Sequence, residues 1–272
     1  MARVQRDVWR IAGRERRRAR DDVAVEEALE VQVHGSPLLV TMRTPGQDFE
    51  LVAGLLLSEG VATVPSDITA MRAGRATGTG AGDGFNVVDV GLAPAALARA
   101  RALGARRVTT TSACGACGTT SLARLAHHAA AATDDGGLRV PASVLAALPG
   151  ILRAAQPGFA RTGGSHAAGL FDATSTLVCA REDVGRHNAF DKVLGWALLA
   201  GRLPLRSHVL LASGRASYEL VHKAAAAGVA LVAAVSAPSS AAVDLATELG
   251  LTLVGFLRGE AMNVYAGPAR VT

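Results

Sequence analysis

The chain has 272 residues, half of them apolar and only 4% aromatic, enough to bury a substantial core in one large or two small domains. Three cysteines cannot build a disulfide framework, and no apolar run resembles a signal peptide or a bilayer span, so the sequence reads as a reduced, cytoplasmic α/β protein. The net charge of +5 is uneven: residues 1–20 carry eight arginines against Asp7 and Glu15, a local +6, and the rest of the chain carries −1.

Residues 14–20 form a basic cluster with no aromatic interleaved in the sequence. A contact for nucleic acid, an acidic partner or a phosphate-rich ligand is one reading. The reading taken is a solvated, disordered tail over residues 1–28. Residues 29–33 and 38–43 flank His34-Gly35-Ser36-Pro37 and predict a β-hairpin. Pro45-Gly46 stops the second strand, Asp48 opens a helix over 49–58, and Gly60 lies past its end. Residues 73–84 form a glycine-rich loop without the G-x-G-x-x-G order that binds dinucleotides, followed by a strand over 85–90. A helix is predicted over 92–103, an extended stretch over 107–110, and helices over 119–132 and 142–154. Asp134-Asp135-Gly136-Gly137 separates the last two. These elements divide into a small α+β domain (29–106), a cysteine loop with its following helix (107–140) and an α/β domain (141–272).

The last hundred residues are more regular. Strands over 168–171 and 176–180 predict a hairpin, and a helix over 188–199 follows. Strands over 208–213, 230–235 and 252–256 then alternate with helices over 217–227 and 241–249. Strand–helix alternation with short connections requires parallel strands and right-handed crossovers. Such strands gather their carboxyl ends along one edge, where ligands bind. Three of those ends are polar: Ser213-Gly214-Arg215-Ala216-Ser217, Ser236-Ala237-Pro238-Ser239-Ser240 and Phe256-Leu257-Arg258-Gly259. Helix N-termini with free N–H groups and hydroxyls, with Arg215 and Arg258 as bidentate partners, suit a phosphate-bearing ligand; ordinary N-capping by Ser213 or Ser236 with surface arginines is the other reading. No P-loop sequence is present.

A second polar concentration runs through Arg161-Thr162-Gly163-Gly164-Ser165-His166 and Glu182-Asp183-Val184-Gly185-Arg186-His187-Asn188, with Asp191 and Lys192 on the next turn. Here Asp183 can orient His187 or pair with Arg186. The same residues equally suit a buried network joining a hairpin to its helix. His166 follows a Gly-Gly and is the better placed histidine. His127 and His128 are read as surface residues.

Two of the three cysteines lie in Ser112-Ala113-Cys114-Gly115-Ala116-Cys117-Gly118, among small residues that keep a thiol accessible. An unperturbed thiol is only a few per cent thiolate at neutral pH. Lowering its pKa by about two units takes roughly 2.7 kcal/mol, of which a helix N-terminus near Cys117 supplies about 0.3–2 kcal/mol. Three uses remain open on the residues alone. Zinc wants three or four ligands, and no second C-x-x-C and no H-x-E is present. A dithiol oxidoreductase would place the pair early in a βαβ unit, which this context does not match. A persulfide carrier needs an exposed thiol on a small-residue loop and a separate acceptor pocket, and both parts are present. Cys179 lies alone inside a predicted strand.

The cysteine loop, 159–166, 181–192, 213–221, 234–240 and Leu253-Val254-Gly255-Phe256-Leu257-Arg258-Gly259 with Asn263-Val264-Tyr265 together resemble the formate dehydrogenase accessory sulfurtransferases, the FdhD family. The likeness runs from about Leu29 to Tyr265. It implies a cytoplasmic, homodimeric sulfur carrier with a three-layer C-terminal α/β/α domain similar to cytidine deaminases but without their zinc. It also implies a persulfide received from a cysteine desulfurase. The sulfur would pass to a bis-molybdopterin guanine dinucleotide molybdenum cofactor before insertion into formate dehydrogenase apoenzyme. By position, Cys114 is the persulfide cysteine and Cys117 its partner. The stretch Phe256, Leu257, Arg258, Gly259, Glu260 and Ala261 matches the family's cofactor-binding segment, joined by Ser213, Gly214, Arg215, Ser217, Ser236 and Ser239 from the sheet edge. His166, Asp183 and His187 are auxiliary candidates for positioning or proton transfer. The family commonly has Gly-Arg where this chain has Glu260-Ala261, which weakens a phosphate contact there by about 1–3 kcal/mol. No resident metal, nucleic acid or membrane partner is expected. The alternatives are a non-catalytic cofactor-binding chaperone and a C-x-x-C dithiol oxidoreductase.

Overall fold

The computed structural model describes residues 2–75, 86–104 and 137–272. The cysteine segment, the glycine-rich loop between 76 and 85 and the helix expected over 119–132 lie outside the described residues.

Among the described residues the strands form three sheets. The basic N-terminus is not a structureless tail. Strands β1 (Arg3–Ala12) and β2 (Glu15–Ala24) pair antiparallel across Gly13 and Arg14. The alternation is legible only in register, where Val4 faces Val23 and Val8 faces Ala19. Arg3 pairs with Asp22, and Arg10 pairs with Asp21 at 3.3 Å, so part of the positive charge is balanced locally.

The second sheet has the order β4-β3-β6-β5. Strands β3 (Glu27–Val33) and β4 (Ser36–Arg43) form the expected hairpin. Its two turn residues, His34 and Gly35, both have positive φ, as a type I′ turn requires. Helix α1 (Asp48–Ser58) follows β4. Strand β5 (Ile68–Gly74), which the sequence reading did not include, runs antiparallel to β6 (Val87–Leu92). Helix α2 (Pro94–Gly104) comes next.

The third sheet has six strands in the order β12-β11-β10-β9-β7-β8. Helix α3 (Ala142–Ala154) and a short α4 (Pro157–Thr162) precede the hairpin β7 (His166–Asp172) and β8 (Leu177–Asp183). Helix α5 (Arg186–Leu199) leads to β9 (His208–Ala212), α6 (Tyr218–Ala226), β10 (Leu231–Ala234), α7 (Ser240–Glu248) and β11 (Thr252–Arg258). Strands β9, β10 and β11 are parallel, as the alternation demanded. Strand β12 (Ala261–Ala266) then returns antiparallel to β11.

Alternate residues of the central strands bury on opposite faces. Val209, Leu211, Leu231 and Val254 pack with Leu145, Leu148 and Leu152 of α3. Leu210, Val232 and Leu253 share the other core with Phe190 and Leu194 of α5 and Leu220 of α6. Strands covered on both faces explain the near-continuous apolar runs. That second core extends to Leu51, Leu56 and Leu29, so the N-terminal sheet and the C-terminal sheet share one apolar interior.

Helices α1 and α5 form the joint. A Cβ added at Gly195 would sit 1.8 Å from the Glu50 carbonyl oxygen, and one at Gly54 would sit 1.9 Å from that of Asp191. Only glycine at both positions lets the two backbones touch. The contact fixes the start of α5, and with it the polar segment that precedes the helix. No described helix is long and apolar enough to cross a membrane.

Candidate functional site

Strands β8, β9, β10 and β11 end on one sheet edge, and β7, antiparallel to β9, begins there. The two polar concentrations of the sequence therefore meet. His166 pairs across the ladder with Asp183, and its Nδ1 lies 3.2 Å from where a Cβ on Gly214 would stand. A cleft of about 610 Å³ opens at this edge, lined by Arg153, Phe159, Gly164, Ser165, His166 and Ser213 among others. That volume is in the range of small-molecule sites.

One wall is α4. Its short length leaves it dependent on an external cap, and Glu182 supplies it. The carboxylate accepts from Gly158 N at 2.8 Å, Phe159 N at 2.7 Å and Ser165 Oγ at 2.9 Å. The opposite wall is the β9–α6 connection. Ser213 Oγ accepts from Ala167 N at 2.8 Å, which ties the start of β7 to the end of β9.

Neither Ser213 nor Ser236, the serines that could have been ordinary helix caps, takes a cap position. The residues at those positions are Ser217, before α6, and Ser239, whose side chain accepts from Ala242 N at 3.3 Å. The loops after β9 and β10 also bond to each other. Ser236 N donates to Gly214 O, Ala216 N to Ala237 O and Ser239 N to Ala216 O. Three N–H groups expected to face an anion are thereby spent inside the fold.

Asp183 takes neither of its expected partners. It is fully buried, pairs with Lys192 Nζ at 2.8 Å, and accepts from Thr44 N, Gly185 N and Asn188 Nδ2. Enclosure and four donors make it the knot that ties the β4–α1 connection to α5. Asp191 plays a similar part with Lys223, at 2.7 and 2.9 Å, and with Ser58.

With Asp183 taken, Arg186 is left with its Nε buried and without a hydrogen-bond partner among the described residues. A buried donor of this kind is costly unless an acceptor arrives. The charges of Arg186 and Arg215 both bear on His166, whose pKa is lowered first by burial and then by these two cations. His166 is therefore a neutral hydrogen-bonding group at physiological pH. His187 is pushed down to about 4 by burial, then Arg186 and Lys223, against the opposing pull of Glu219. Its Nε2 lies 3.2 Å from Ser217 Oγ and 3.5 Å from Glu219. Sequence reading missed the role of Arg186 because Asp183 stands three residues away and looked like its partner.

The stretch from Phe256 to Ala261 is the β11–β12 turn. Phe256 and Gly259 have positive φ, and Phe256, Arg258, Glu260 and Ala261 are exposed. Leu257 is completely buried in the apolar core beneath α3, so its side chain is not open to a ligand. Arg258 Nε donates to Val235 O at 3.0 Å, which holds the turn against the end of β10. Arg215 is exposed at the edge. Cys179 is buried, with its thiol pushed up to about 11 by desolvation, and is inert. Among the described residues no group of three His, Cys, Asp or Glu side chains could hold a metal ion.

An α/β framework with an open cleft of this size at its strand ends is the arrangement of a small-molecule-binding protein. The sequence pattern of the FdhD/NarQ family matches residues 24–272. Curated relatives include the sulfur carrier protein FdhD of Nocardia farcinica, 50% identical over 93% of this chain and 89% of that protein. The sulfur carrier protein FdhD of Streptomyces avermitilis is 52% identical over 92% and 89%. A crystal structure described as a candidate formate dehydrogenase accessory protein from Desulfotalea psychrophila superposes with a TM-score of 0.75 at 22% identity, covering 99% of both chains. The chain belongs to the FdhD/NarQ family.

Proposed function

We propose that this protein is a sulfur carrier, a sulfurtransferase that serves formate dehydrogenase. It accepts sulfur from a cysteine desulfurase as a persulfide and passes it to a bis-guanine-dinucleotide molybdenum cofactor before that cofactor enters the apoenzyme. It works as a homodimer in the cytoplasm. The observation that carries this reading is identity of about half to curated sulfur carriers across nearly the whole chain. The charges of Arg186 and Arg215, which both reach His166 at the cleft, support an anionic acceptor.

In the loading step, the thiolate of Cys114 attacks the terminal sulfur of the donor's persulfide. One S–S bond forms as another breaks, and the donor leaves as a thiolate, so no external oxidant or reductant is needed. Cys117, three residues on, shares or receives the sulfur. Both cysteines lie outside the described residues.

The acceptor is cargo, and the residues present fit its chemistry. Its phosphates match Arg186, whose buried Nε lacks an acceptor, and the exposed Arg215. Neutral His166 and the hydroxyls of Ser213 and Ser217 supply hydrogen bonds beside them. The β11–β12 turn, with Phe256, Arg258, Gly259, Glu260 and Ala261, forms the outer lip, and Ser236 and Ser239 stand behind it. Leu257 contributes only by anchoring the turn.

Cys114→Ala tests this reading against a chaperone that only binds cofactor. The variant abolishes formate dehydrogenase activity in cells while cofactor still co-purifies. Normal activity in the variant would overturn the assignment, and a reversible Cys114–Cys117 disulfide with turnover of a dithiol substrate would replace it.

A further inference from the structure

The N-terminal hairpin is outside the region matched by the family, which begins at residue 24. Its two strands bury little on either face: Trp9 is 50% exposed and Ile11 is 67% exposed. An isolated two-stranded ribbon is marginal in water, so a surface that covers it is expected.

The antiparallel register builds a surface that the linear sequence hides. Trp9 stands opposite Arg18, and Ile11 stands opposite Arg16. Cross-strand partners share a face, so two apolar side chains and two arginines form one patch. The guanidinium carbons of Arg16 and Arg18 lie 4.4 and 5.2 Å from the Trp9 ring centroid. Between Trp9 and Arg18 the chain has five arginines and one carboxylate, Glu15. Arg10 is engaged by Asp21, whereas Arg14, Arg16, Arg17 and Arg18 form no ion pair among the described residues.

Placement adds a second argument. Strand β2 packs on α4, and Ala24 Cβ lies 3.6 Å from where a Cβ on Gly164 would stand. Gly164 lines the cleft. The base of the hairpin therefore sits at the cleft rim, against the helix that walls the cleft.

We propose that this hairpin is a docking arm for an acidic protein surface, anchored by Trp9 and Ile11 and steered by Arg14, Arg16 and Arg18. Trp and Arg together are the residue types that dominate protein interfaces. A second copy of the arm is disfavoured as occupant, because it would bring like charge against like charge. Nucleic acid fits less well. The ring on which a base would stack is already overlaid by arginines, and Asp7, on the same face, would meet the phosphates. The occupant is the protein that receives the cargo leaving the cleft. On the proposed function, upon which that identity rests, this is the formate dehydrogenase apoenzyme.

The test uses the full chain, the charge reversal Arg14→Glu/Arg16→Glu/Arg18→Glu and the separate variant Trp9→Ala. Each is titrated with purified formate dehydrogenase apoenzyme from the same organism, with a labelled random duplex DNA, and against itself by sedimentation. The native chain binds the apoenzyme, and the affinity falls as salt rises. The charge reversal weakens binding at least about tenfold and flattens the salt dependence. Trp9→Ala weakens it about fivefold or more and leaves the salt dependence in place. Neither variant changes the oligomeric state, and DNA binds no better to the native chain than to the reversal. The proposal is overturned by equal apoenzyme affinity in all three proteins, by no binding of the native chain, by arm-dependent DNA binding, or by arm-dependent self-association. Persulfide loading of the same variants, read by mass, separates the two claims. Sulfur uptake that persists while docking shows no arm dependence removes the arm and leaves the carrier function standing.

Discussion

Lys223→Met removes the cation that pairs with Asp191 among the described residues. Both side chains are buried, with Lys223 8% exposed and the Asp191 carboxylate in full enclosure. Desolvation raises the pKa of Asp191, while Lys223 and Ser58 pull it down without cancelling the rise. Deleting one partner of a buried pair costs about 3–5 kcal/mol, because the other is left uncompensated. Ser58 Oγ still donates to Asp191 at 3.1 Å, so the lower end applies: about 3 kcal/mol, or roughly 6–12 °C in Tm for a chain of this size.

The pH dependence has a definite sign. A carboxyl with a raised folded pKa is protonated in the native state and ionised in the unfolded chain between the two values. Its burial therefore costs stability as pH rises through that window, and not below it. Losing Lys223 widens the window upward. The deficit measured by urea unfolding is larger near about pH 7.5 than near about pH 5, and adding Asp191→Asn recovers most of it. A second readout is independent of stability. Lys223 also holds His187 down, so the imidazole resonances of His187 titrate at higher pH in the variant. A deficit that is flat with pH, no recovery in the double variant, and an unmoved His187 would refute the reasoning.

Gly195→Ala drives a methyl into the Glu50 carbonyl at 1.8 Å. The backbone of α1 cannot yield without moving the whole helix, so overpacking of about 3 kcal/mol outweighs the gain of up to about 1 kcal/mol in helix propensity, and thermal unfolding shows a net loss; equal or higher stability would contradict the shared glycine contact. Arg186→Gln removes the buried donor that awaits an acceptor, and weakens guanosine monophosphate, used as a fragment of the cofactor, by about 1.5–3 kcal/mol. Calorimetry gives that affinity, and the His166 titration moves upward because one of its lowering cations is gone; unchanged affinity would show that the anion binds elsewhere.

The parallel strands were legible because apolar runs and Gly or Pro punctuation repeat cleanly through residues 208–256. The hairpin at residues 34–35 was equally plain. Strand β12 was not, because Ala261, Asn263 and Tyr265 are exposed while Met262 and Val264 are only partly covered. Arginines at alternate positions disguised β1 and β2, since their regularity appears only when Val4 meets Val23. Helix α4 has six residues and takes its cap from Glu182, more than twenty positions away, so nothing local announces it. The edge itself was foreseen, but its wiring was not. Asp183 stands beside Arg186 and His187 in sequence, yet the helical turn carries Lys192 to it, and Thr44 reaches it from the β4–α1 connection. Long-range partners of this kind are set by packing, and it was packing that left Arg186 Nε without a partner among the described residues.

A sulfur carrier must hold sulfur covalently on its own chain. Intact-protein and peptide mass spectrometry after incubation with a cysteine desulfurase and cysteine tests that directly. A gain of about 32 Da on the peptide holding Cys114 and Cys117, removed by a thiol reductant and absent in Cys114→Ala, is the predicted result. An unchanged mass at both cysteines, with the desulfurase active, would contradict it.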